Sequence, residues 1–116
     1  MKKSIIFLIA VNVSIFASVS GKKVFETYCW GCHHQTSEAF GPPFEQIAAK
    51  RNSAEIRAMI ADPKGVSKIF GYKRNAMPSF TLKEEELKAI TEYILSYKPK
   101  ETNSTKSDLN ATKESK

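Results

Sequence analysis

The sequence predicts an all-α domain with a helix at each end and a looped middle. Two observations lead there. No alternating run of β-branched residues argues for a sheet, and the apolar periodicities that remain recur at helical spacing. Gly-Pro and Asp-Pro pairs, together with capping patterns, cut those periodicities into short segments. At 116 residues the chain has room for one domain, and neither end reads as core.

The first residues carry Lys2 and Lys3, and Ile5 to Ala17 then runs apolar apart from Asn12 and Ser14. That order reads as a secretory signal. The apolar run is 13 residues long, whereas a bilayer-spanning helix needs about 20. We therefore expect a signal peptide over 1–20, cut after Ser20, with a cut after Ala17 as the alternative. An uncleaved leader would instead act as an anchor, which is the one membrane contact expected. No cysteine follows the run, so a lipoprotein site is not expected.

The expected domain covers 21–97. Its first helix spans Lys22 to Tyr28, with Val24, Phe25 and Tyr28 on one apolar face. Gly41-Pro42-Pro43 breaks the chain, and Pro43 suits the start of a short helix through Phe44, Ile47 and Ala48 that ends near Lys50. Asn52 or Ser53 caps a third helix, with Glu55 completing a capping box after Asn52, and Ile56, Met59 and Ile60 at helical spacing. Asp62-Pro63 stops it. From Pro63 to Phe80 the residues Gly65, Gly71 and Pro78 predict a loop that wraps something. The last helix is expected from a capping box at Thr81 and Glu84, carries Leu87, Ile90 and Ile94 as its stripe with Tyr93 and Tyr97 beside it, and ends at Lys98-Pro99.

Residues 98–116 are Lys, Pro, Glu, Thr, Asn, Ser, Asp and Ala with Leu109 as the one large apolar side chain, so a disordered polar tail is expected. The 77 residues between leader and tail make a marginal core that a staple would help. The formal charge is +6; without Lys2 and Lys3 it is +4, from 16 basic and 12 acidic residues. Such a mild excess, with basic residues scattered among acids, gives no nucleic-acid footprint.

Cys29-Trp30-Gly31-Cys32-His33 contains both cysteines of the chain. Two thiols at this spacing can each add to one haem vinyl group, and the histidine that follows is carried under the ring to the iron. Gly31 suits a backbone folded tightly against a porphyrin. The competing readings are weaker. A redox dithiol belongs in a βαβ setting, which is missing; a zinc site lacks a second ligand pair, since His34 is the other histidine; and a disulfide closing so short a loop gains little.

From Gly21 to Tyr97 the chain resembles the class I cytochrome c family in its short bacterial monohaem form. The resemblance implies a fold in which N- and C-terminal helices pack together while short helices and loops wrap one covalent haem. It implies haem c bound through Cys29 and Cys32, with His33 and Met77 as iron ligands. In the family the second ligand is a methionine in a loop before the last helix, often followed by proline, and Asn75-Ala76-Met77-Pro78-Ser79-Phe80 fits that pattern. Met59, on a regular helix face, is the competing candidate. The resemblance also maps Gly41-Pro42 onto a glycine-proline pair whose carbonyl accepts from the haem histidine, with Pro43 as an alternative source, and it maps Gly21 and Phe25 onto residues that pack on Tyr93. His34 reads as a surface residue, because adjacent residues cannot both approach one face of an iron. Lys64, Lys68, Lys73 and Arg74 fall in the expected loop, where a solvated face and a docking surface for acidic partners are both open readings.

The implied function is that of a soluble periplasmic one-electron carrier, not an enzyme and expected as a monomer. Its implied respiratory-chain partners are a quinol-oxidising complex or dehydrogenase as donor and a terminal oxidase or peroxidase as acceptor. A haem-based ligand-binding sensor and a small haem subunit of a larger oxidoreductase are the alternatives.

Overall fold

The computed structural model describes residues 18–100. The leader expected over 1–20 lies outside the described residues up to residue 17, and the expected tail lies outside them beyond Lys100. Among the described residues the regular structure is helical and no strand forms: α1 (Gly21–Val24), α2 (Phe44–Lys50), α3 (Ser53–Ala61), α4 (Pro63–Ile69) and α5 (Glu84–Leu95). No helix among them is long and apolar enough to cross a membrane.

Without a break, α1 continues into a π-helical turn, Phe25–Cys29, in which the Trp30 amide bonds to the Phe25 carbonyl at 2.9 Å. The wider i→i+5 turn carries residues four apart out of register. Val24 and Phe25 are accordingly buried, but Tyr28 is turned out to 41% exposure and meets the edge of Phe80 instead. The expected apolar face is thus split at Tyr28.

The Asn52 cap matches expectation: its side chain accepts from the Glu55 amide, and Glu55 accepts in return from the Asn52 amide, both at 2.9 Å. Two other expectations are corrected. Pro63 stops α3 but also starts α4, where a loop was expected, because Asp62 caps the new helix through the Gly65 amide at 3.0 Å and Pro63 takes the first position, whose N–H needs no partner. The loop therefore begins only after Ile69, with Gly71 at φ 74°. At the other end α5 starts at Glu84, with the Lys83 amide bonded to the Glu86 carboxylate at 3.1 Å, and the Thr81 box does not form. The reason is packing. Phe80 and Leu82 both pack against the core, a period of two that only an extended chain allows, and it leaves Thr81 outside.

The core is one cluster of Val24, Phe25, Phe44, Ile56, Ile60, Ile90 and Ile94. Phe44 sits at its centre, 1% exposed, with Phe25 edge-on at 5.1 Å and Tyr93 edge-on at 6.1 Å between ring centroids. Aromatic pairs at these distances add to the burial of apolar area. Arg57 ties α3 to the start of α5 by a 2.7 Å contact with Glu84.

The two terminal helices, α1 and α5, cross closely at Gly21, where an added Cβ would overlap the Ala89 carbonyl oxygen and Tyr93 Cβ. Phe25 lies 5.8 Å from the Tyr93 ring at the same crossing. Replacing Gly21 by alanine would gain about 0.5–1 kcal/mol of helix propensity. The obstructing atoms are backbone and Cβ, which cannot swing aside, so the overpacking cost of about 1–3 kcal/mol should prevail. We expect Gly21→Ala to lower the denaturant midpoint of the protein, measured by chemical unfolding against the unaltered chain.

Candidate functional site

The pentapeptide follows directly from the π turn. The carbonyl of Cys29 accepts from both the Cys32 amide (3.1 Å) and the His33 amide (2.9 Å), so the segment is a single helical turn. Residues three and four apart then share one face, which brings both thiols and the imidazole to the same side. Cys29 is half-buried and packs against the core, while Cys32 is exposed, and no disulfide joins them.

Burial first, and then the neighbouring Cys32, push the Cys29 thiol up to about 11. A redox dithiol needs the opposite, a thiolate stabilised near neutral pH. Nor do three or more His, Cys, Asp or Glu side chains gather to hold a metal ion among the described residues. The zinc and dithiol readings therefore find no support in the geometry.

His33 is the best-held side chain of the site. Its Nδ1 lies 2.7 Å from the Pro42 carbonyl oxygen, which can only accept, so Nδ1 carries a proton and, in the neutral ring, Nε2 is the nitrogen with the lone pair. The ring stacks on Phe44 at 5.8 Å and 29°. The Pro43 carbonyl, the alternative acceptor, is used by α2, accepting from the amides of Gln46 and Ile47 at 3.1 Å each. Gly41 makes the approach possible: its amide bonds to the Cys32 carbonyl at 2.6 Å, and an added Cβ would stand 2.6 Å from His33 Cε1 and 2.9 Å from Nδ1.

His34 is exposed, and its Nδ1 accepts from the Thr36 and Ser37 amides at 3.2 and 3.1 Å. It shapes the loop leading to Gly41. The same loop is pinned to the start of α2 by the Phe44 amide on the His34 carbonyl and the Glu45 amide on the Gln35 carbonyl.

Met77 is half-buried on the loop before α5 and packs against the same core cluster as Cys29. Its amide bonds to Asn75 Oδ1 at 3.2 Å. Met59 lies on α3, its sulfur 3.9 Å from the Ser67 hydroxyl of α4. Of the basic cluster, Lys64 and Lys68 lie on α4 rather than in a loop, Lys73 and Arg74 lie on the loop after it, and all four are exposed.

Large apolar side chains are exposed around these segments: Tyr28 and Trp30 flank Cys29, Phe40 precedes Gly41, and Ile69 and Tyr72 stand on the approach to Met77.

Sequence reasoning missed Arg51 altogether. Its guanidinium lies 3.5 Å above the Phe70 ring, donates to the Tyr72 hydroxyl at 3.0 Å and pairs with Glu55 at 3.6 Å, yet Nε is buried with no partner. An unpaired buried donor costs about 1–3 kcal/mol. Arg51 also lines a groove shared with Pro42, Ile47, Tyr72 and Lys73, so the orphaned donor stands close to the segment that holds His33. A lone arginine between two short helices is a faint signal, and the aromatic pair that flattens it comes from α4 and beyond.

Comparison with known proteins gives a consistent result. A family model described as "Cytochrome c" matches residues 18–98. A solved structure, the cytochrome c from Rhodothermus marinus, superposes with a TM-score of 0.56 at 26% sequence identity, over 66% of this chain and 72% of that one. None of the curated proteins matches the chain. The helical architecture described above is that of the class I cytochrome c fold.

The seat of His33 can be probed through Gly41. Gly41→Ala should turn the ring off the Pro42 carbonyl or push the loop away. The hydrogen-bonded Nδ1 proton would then lose its downfield, exchange-protected NMR signal, and stability should fall by about 1–3 kcal/mol.

Proposed function

We propose that this chain, which belongs to the cytochrome c family, binds one haem c through thioethers to Cys29 and Cys32, ligates its iron with His33 and Met77, and works as a soluble periplasmic one-electron carrier. Membership of the family implies covalently bound haem, electron transfer and redox protein partners. The finer reading rests on the site. The observation that carries it is the 2.7 Å bond from His33 to the Pro42 carbonyl, closed over by Gly41.

The donor set fits the group. Haem c needs two thiols on one face, one imidazole nitrogen with a free lone pair and one neutral soft donor, and the chain offers Cys29, Cys32, His33 and the Met77 thioether. Haem also brings carboxylates, and the buried Arg51 Nε without a partner is the kind of donor that a carboxylate would satisfy. When bound, the haem supplies the one-electron couple.

The chain's own residues do the rest. Pro42 holds the proton of His33 on Nδ1, which makes the imidazole a better electron donor to a metal and keeps its plane from turning. Phe44, buried beneath the His33 ring, stiffens that side. Met77 supplies a neutral sulfur, which favours the reduced state and so a higher potential. With His33 and Met77 both given to the iron, no coordination position would be left for a substrate, which is why the reading is a carrier and not an enzyme.

In this reading the leader over 1–20 is removed on export and 98–116 remains a polar tail. The donor is a quinol-oxidising complex or dehydrogenase, the acceptor a terminal oxidase or peroxidase, and the carrier is a monomer. Lys64, Lys68, Lys73 and Arg74 give its exposed face positive charge, which would speed encounter with acidic partners at low salt.

Protein made in a host competent in haem ligation should keep its haem through acid-acetone extraction. Oxidised protein should show the weak sulfur-to-iron charge-transfer band, lost in Met77→Ala and retained in Met59→Ala. Reduced protein should resist carbon monoxide at neutral pH. Ready carbon monoxide binding by the unaltered protein would point to a ligand-binding cytochrome instead, and a colourless product would end the reading.

A further inference from the structure

The loop that carries Met77 is held at few points. Tyr72 bonds through its amide to the Ser67 carbonyl at 2.9 Å, and Phe80 bonds through its amide to the Ile60 carbonyl at 2.9 Å. Between these two anchors, over 73–79, the hydrogen bond within the described chain is the one from the Met77 amide to Asn75 Oδ1 at 3.2 Å. Every residue of 73–79 except Met77 is exposed, so apolar burial does little to fix the backbone there. Pro78 sets its own φ and restricts the residue before it, but it leaves the segment on the N-terminal side of Met77 free to turn.

Asn75 supplies what is missing on that side. A carboxamide that accepts from the backbone amide two residues on closes a local turn and removes the competing conformations of the residues it spans. Here the spanned residues are Ala76 and Met77, and the bonded amide is that of Met77 itself.

We propose that Asn75 is a positioning residue for Met77: its side-chain oxygen, without touching the haem, holds the backbone so that the Met77 sulfur stays presented to the iron. This rests on the reading of Met77 as the second iron ligand. It adds a specific consequence, that the lifetime of the methionine on the iron is set in part by a side chain two residues upstream.

The test uses the full-length haem-loaded protein in its oxidised form and follows binding of imidazole, which must displace the methionine. Asn75→Ala should raise the binding rate roughly 2- to 12-fold, the free energy of one net hydrogen bond expressed as a ratio. Asn75→Asp keeps an acceptor oxygen and should stay close to the unaltered protein. Ser79→Ala, exposed on the same loop, should have no effect, and Asn75→Ala should lower the denaturant midpoint by no more than the same one hydrogen bond accounts for, which separates local release of Met77 from general loosening. If Asn75→Ala binds imidazole no faster, or if Asn75→Asp is as fast as Asn75→Ala, the proposal is overturned. Met77→Ala is the control for the underlying reading. Its loss of the charge-transfer band leaves the ligand assignment standing whatever Asn75 does, and its retention of that band overturns both.

Discussion

An imidazole whose N–H donates to a carbonyl has its tautomer and its ring plane fixed together, and in this chain His33 is held by one such hydrogen bond. His33 gives its Nδ1 proton to the Pro42 carbonyl at 2.7 Å. Much of the neighbouring structure exists to make that contact. Gly41 has no side chain to keep the loop off the ring, its amide returns to the Cys32 carbonyl, and His34 and Gln35 bond to the first turn of α2. Proline is an apt acceptor here, since its carbonyl is free of helix duties while Pro43, next in line, spends its own on α2.

The same histidine connects the site to the core. Its ring lies on Phe44, and Phe44 meets Phe25 of the N-terminal π turn, Tyr93 of α5 and Tyr97 in the turn just after it. The close crossing of α1 and α5 at Gly21 thus sets the position of Phe25, and through it the floor beneath the histidine. Core packing is dense and tolerates little displacement, so a change at the crossing is felt at the ring. That is a physical reason for terminal helices far apart in sequence to be packed with no spare volume.

The segment that carries Met77 is built differently. Met77 rides on an exposed loop pinned at Phe80 and turned by Asn75. Dense packing around His33 and sparse bonding around Met77 make the two segments unequal in local stability. Local stability follows local contact density, so any opening of this fold should begin at the loop and spare the aromatic floor.

What could be read in advance and what could not divides along sequence distance. The helical class, the Cys29 to His33 turn, the Asn52 capping box and the Gly21, Phe25 and Tyr93 contact were legible, because spacing and cap chemistry act within a few residues or carry a strong family pattern. The helix after Pro63 was legible in principle, since Asp-Pro caps as well as stops, but glycines obscured it. Three features were decided only by the tertiary structure. Tyr28 leaves the core because the turn before Cys29 widens, α5 starts late because Phe80 and Leu82 must both reach the core, and Arg51 is trapped between Glu55 and an aromatic pair some twenty residues on. Each is settled by competition among distant groups for the same space, and no local rule carries that information.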